Sequence, residues 1–115
     1  MVQSQEFMLL FRFEPNFTYQ PTETEMAEMH QQWGSFIGGL AIQERLVSTH
    51  QLGFEGKLIF ADSTVQEGIN ISENQTLGGN LILKANSLDQ AVELAKGCPI
   101  LHMGGNVEVR TITPM

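Results

Sequence analysis

With 115 residues, 42% apolar and 17% charged, the chain has the size and balance of one globular domain over 1–115, without a bias toward disorder. A formal charge of −7 with only six Lys and Arg excludes the clustered basic surface that a nucleic acid or an anionic membrane requires. The single Cys98 excludes an internal disulfide, and no Cys pair or His cluster has the spacing of a metal site.

EFMLLFRFE (6–14) alternates as a strand with Phe7, Leu9, Phe11 and Phe13 on one face. Met8 and Leu10 make the other face apolar too, which is the pattern of a strand at the centre of a sheet. Arg12 shares that second face. No basic stretch with a long apolar run opens the sequence, and FMLLF is far too short for a bilayer, so the expected compartment is the cytoplasm. Sequons at Asn16, Asn70 and Asn74 are then chance occurrences. PNFTYQP, with the only tyrosine, Tyr19, reads as a loop.

Thr22 and Glu25 form a capping box at the start of a helix, and Glu23 adds favourable charge there. Met26, Met29, Trp33, Phe36, Ile37 and Leu40 fall on one stripe of it. His30 lies about 40° round from Met26 at helical spacing. Its neighbours a turn away are the small Ala27 and Gly34. Two readings stay open. His30 is a core-edge histidine bonded to a strand or loop, or it borders a cavity between helix and sheet walled by Trp33 and Phe36. On the second reading, Gly34→Leu fills the space. Gly38-Gly39 costs about 1 kcal/mol per glycine in a helix, which points to close backbone packing, for example against another subunit.

RLVSTHQL gives a second strand, and GKLIF and VQEGIN form a hairpin around Ala61-Asp62-Ser63-Thr64. The polar ISENQT is a loop, so 61–76 is expected to be the least regular segment. GGNLILKA is the next strand. A second helix follows in NSLDQAVELAKGCP, capped by Ser87 with Gln90 completing the box. Leu88, Ala91, Val92 and Ala95 face inward, and Gly97 and Pro99 stop it. GNVEVRTI is the last strand.

The order strand, helix, strand, hairpin, strand, helix, strand is that of an α+β, ferredoxin-like βαββαβ sandwich with an extra hairpin. Two helices cover one sheet face only. The apolar residues on the other face predict a second sheet over it, hence a homodimer.

His30 is the first candidate for acid-base chemistry, because an imidazole exchanges protons near neutral pH once a substrate reaches it. Arg12 and Arg110 either form structural ion pairs with Glu14, Glu67 or Glu108 or bind an anion. Cys98 lacks the setting of a reactive thiolate and reads as packing. His50 and His102 read as surface or structural residues. The Gly-Gly pairs at 38, 78 and 104 lack the companions of a phosphate loop.

FMLLFR, EMHQQWGSFIGGL with ERLV behind it, LGGNLIL, SLDQAVELAKGCP and the terminal VEVR together resemble the YCII-related proteins, in the branch marked by an Asp-Gly-Pro-Phe motif. The resemblance implies a dimeric α+β barrel, two ferredoxin-like sheets face to face with helices outside. The motif is degenerate here: its place falls at Glu67-Gly68-Ile69-Asn70, and Glu44 stands where the family usually has glycine. The resemblance further implies cofactor-free acid-base or elimination chemistry on a helix histidine and an acidic partner, or association with sigma factors of the extracytoplasmic type.

Three functions follow as expectations. One is a small-molecule-binding dimer with regulatory character, using Arg12, Trp33, Gly34 and Arg110. The second is a cofactor-free lyase or isomerase using His30 with Glu67. The third is a structural or interaction dimer. None calls for a metal or a cofactor.

Overall fold

The computed structural model describes residues 4–15 and 21–113. Asn16 and Tyr19 lie outside them. The strands are β1 (Gln5–Phe13), β2 (Leu46–Gln51), β3 (Lys57–Ile59), β4 (Val65–Glu67), β5 (Thr76–Ala85) and β6 (Asn106–Thr111); the helices are α1 (Glu23–Ile42) and α2 (Leu88–Ala95). A 3-10 turn, Pro99–Met103, follows α2 where only a stop was expected.

β1 lies inside a four-stranded sheet of order β2-β5-β1-β6, as its two apolar faces required. Every pairing in it is antiparallel. This is the α+β, ferredoxin-like arrangement, with β3 and β4 as a separate two-stranded hairpin. The core lies on one face of the sheet. Phe7, Leu9 and Phe11 of β1 and Leu81, Leu83 and Ala85 of β5 are buried there under Leu40, Ala91, Ala95, Cys98 and Ile100. Trp33 stands edge-on to Phe11 with ring centroids 5.3 Å apart, which fixes α1 on that same face.

Both helix starts form as their sequences dictate. Thr22 Oγ1 accepts from Glu25 N–H, and Glu25 Oε1 accepts from Thr22 N–H. Ser87 Oγ accepts from Gln90 N–H, but Gln90 Oε1 takes the Asn86 N–H at 2.6 Å, one residue earlier than a regular box. α1 ends in a Schellman motif: Arg45 N–H donates to Leu40 O and Glu44 N–H to Ala41 O. Glu44 holds the left-handed position at φ +59°, a conformation that glycine adopts without a Cβ penalty.

Several expectations need correction. α2 turns Ala91, Leu94 and Ala95 inward, while Leu88 and Val92 remain 44% and 37% exposed. The helix is only eight residues long, so a narrow stripe of small side chains is what meets the sheet. The stripe of α1 is likewise half right. Leu40 is buried and Trp33, Phe36 and Ile37 pack on the core, but Met26 is 45% exposed because the helix start extends past the packed core. A Cβ at Gly34, Gly38 or Gly39 would meet nothing within 4 Å, so packing inside the chain does not explain these glycines.

The hairpin turn forms as read. Asp62 Oδ1 accepts from Thr64 N–H and Oγ1–H, which lowers the Asp62 carboxyl from its ordinary range. Segment 61–76 holds the three residues of β4 and the first of β5 as its only strand positions, and it contains left-handed Ser63, Glu73 and Asn74.

Candidate functional site

β-strand alternation sends every second side chain of the sheet away from the core. The register sorts these into rows that run across the strands. Ser48, Ile82, Met8 and Arg110 form one row, and His50, Asn80, Leu10 and Glu108 the next. Leu77, Arg12 and Asn106 form a third. Met8, Leu10 and Ile82 are half-buried and make an apolar centre, flanked by polar groups on both sides. The packed helices lie on the opposite face.

On the β6 side Glu108 joins two arginines. Arg12 Nη1 donates to Glu108 Oε1 at 2.7 Å, and Arg110 Nη1 donates to Oε2 at 3.3 Å. The hydrogen bond from Arg12 is the main reason the Glu108 carboxyl is held below its usual range. Two guanidiniums against one carboxylate leave a surplus positive charge and unspent N–H donors. A structural ion pair is thus present, and it does not exhaust the arginines.

On the β2 side His50 Nδ1 and Asn80 Oδ1 lie at hydrogen-bonding distance, 3.2 Å. Gly79 permits this pairing. A Cβ there would lie 2.6 Å from His50 O, so β2 could not approach β5 so closely.

At the end of this face, between sheet and hairpin, lies a cleft of about 600 Å³ lined by residues that include Arg12, Lys57, Ile69, Asn70 and Leu77. Arg12 therefore borders both the face and the cleft. Glu67 pairs with Lys57 Nζ at 3.2 Å on the exposed hairpin.

The other sequence candidates lie elsewhere. His30 and Gly34 are exposed on α1. Trp33 packs against Phe11 and Phe36 as part of the core edge. A second open concavity, of about 760 Å³, runs between α1 and the 3-10 turn; Glu28, Gln31, Phe36 and His102 line it, and His30 does not. Within one chain, then, Arg12 and Arg110 come together through Glu108, whereas His30, Gly34 and Glu67 do not join them. Cys98 is buried, and desolvation pushes its thiol up to about 11, as a packing residue requires.

Reading by residue type overlooked His50 and Asn80. The alternation of Asn80, Ile82 and Lys84 against Leu81, Leu83 and Ala85 carried the signal for Asn80. For His50 a bulge between Leu46 and Ser48 obscured the face. Among the described residues no group of three His, Cys, Asp or Glu could hold a metal ion, and no helix is long and apolar enough to cross a membrane.

The family model of the YCII-related domain matches residues 6–115. No curated protein matches the chain.

Proposed function

The chain belongs to the YCII-related family, and on that premise we propose that it is a homodimer that binds a small molecule over the outward face of its sheet. One observation carries this reading: half-buried Met8, Leu10 and Ile82 lie beside the Arg12–Glu108–Arg110 cluster on a face away from the packed helices. Apolar surface of this kind gains about 25 cal/mol per Å² when covered. Charges of both signs side by side are also self-complementary about a two-fold axis, since an arginine of one copy can meet a glutamate of the other. Two such faces enclose a chamber whose walls carry both apolar and cationic groups, the composition of a small-molecule site.

Sedimentation velocity at micromolar concentration tests the association. The wild-type chain is expected to be a dimer and Leu10→Lys a folded monomer. A monomeric wild type, or a Leu10→Lys variant that still dimerises, overturns the proposed interface.

A further inference from the structure

We infer that the β3–β4 hairpin is an arm whose outer side packs on a second copy of this chain. The choice of partner rests on the proposed function, while the arm itself is a surface that function does not use. β3 and β4 pair only with each other, and a two-stranded ribbon alone in water is marginally stable at best. The radius of gyration is 15.9 Å, where a compact chain of this length has about 13 Å. A projecting element produces such an excess. At its base Phe54 stands edge-on to Phe13, ring centroids 6.1 Å apart, so the hairpin leaves the sheet at a fixed point.

Its residues show which side is left open. Lys57 lies across from Glu67 and Ile59 from Val65, so alternation sets these two pairs on one side and Leu58 on the other. Leu58 is half-buried and lines the cleft beside Arg12, so that side turns back to its own sheet. Ile59 and Val65 do not line the cleft and are 69% and 53% exposed. An aliphatic cross-strand pair on an unsupported ribbon is surface whose burial is favourable.

Two arguments select a second copy as the partner. The cleft beneath the arm also borders Arg12, so the arm is continuous with the outward face. A copy seated on that face comes within reach of β3, whose run from Lys57 to the turn extends about 15 Å. The second argument is area. Met8, Leu10 and Ile82 are half-buried already and have little further surface to give, while a stable interface takes about 800 Å² from each partner. The arms supply apolar area that the sheet faces lack. About a two-fold axis each copy gives one arm and receives one.

Sedimentation equilibrium of the full chain reads the arm separately from the sheet. Ile59→Ser combined with Val65→Ser is expected to weaken the dimer about tenfold or more. Ile42→Ser, which removes a side chain 85% exposed at the end of α1, should leave it unchanged. In a dimer mixed from carbon-13-labelled and unlabelled wild-type chains, the Ile59 and Val65 methyls should show Overhauser contacts to unlabelled protons. A wild-type dimer without those contacts overturns the inference, whether or not the double variant folds. A folded double variant that dimerises as the wild type does, or an Ile42→Ser variant weakened equally, also overturns it and leaves the proposed dimer standing. Loss of the dimer in the double variant but not in Leu10→Lys upholds the arm and overturns the sheet interface. A monomeric wild type overturns both. Ile59 and Val65 lie outside the core cluster, and thermal unfolding confirms the fold of each variant.

Discussion

The two faces of the four-stranded sheet come from the same strands and differ by a shift of one residue. On one, Phe7, Leu9, Leu81 and Leu83 are at most 1% exposed. On the other, Met8, Leu10 and Ile82 keep part of their surface and stand among Arg12, Glu108, Arg110, His50 and Asn80. Alternation thus separates two tasks within one backbone. The first face holds the chain together, and the second is the recognition surface of the proposed function, so substitutions on the two should fail in different ways.

The largest contrast is between Leu81→Ala and Leu10→Ala. Leu81 is fully buried, and its truncation should cost about 3–4 kcal/mol in denaturant unfolding. Leu10→Ala, measured at concentrations where the chain is monomeric, should cost about 1 kcal/mol or less. Equal costs would mean that the faces do not differ in this way.

Gly105→Ala probes the seam between the faces. Its Cβ would lie 2.5 Å from both Arg12 O and Ile100 Cγ1, so the 3-10 turn or the end of β1 must move. A loss of about 2 kcal/mol is expected. Unchanged stability would show that this contact yields readily.

A smaller effect, of opposite sign, is expected away from the sheet. Glu44→Gly relieves a left-handed residue at the end of α1 and removes a negative charge from the helix C-terminus. It should stabilise by about 1 kcal/mol without altering binding on the sheet.

The smallest effect belongs to Glu108. Its folded carboxyl is lowered, chiefly by the hydrogen bond from Arg12. Its contribution is therefore present above the ordinary carboxylate value and fades as pH falls through the lowered one. Wild type and Glu108→Gln should differ in stability at neutral pH and converge in strong acid. A difference that grows as pH falls would contradict the pairing.

Much of the fold was legible because it rests on local rules. Apolar residues on both faces of β1 made it central, Thr22 and Glu25 started α1, and Asp62 set the hairpin turn. The limits were also physical. Helical periodicity says which side of α1 is apolar but not how far along it a partner surface extends, so Met26 and His30 were drawn toward a core that ends before them. In α2 two small residues and Leu94 do the packing, and the bulkier Leu88 and Val92 misled. The arginine cluster was legible as alternation, since Arg12, Glu108 and Arg110 all fall on one face. His50 was not, because a bulge in β2 displaces the count by one.

The place of β1 at the centre of the sheet has a consequence during synthesis. Its neighbours β5 and β6 follow it by more than sixty residues, and at about 5–20 residues per second they leave the ribosome several seconds after it. Through that interval FMLLF, uncharged and rich in residues that favour strands, has neither partner available. Until β5 emerges the nascent chain exposes an unpaired apolar strand at residues 7–11, and a chaperone that shields it through that interval would raise the yield of folded protein.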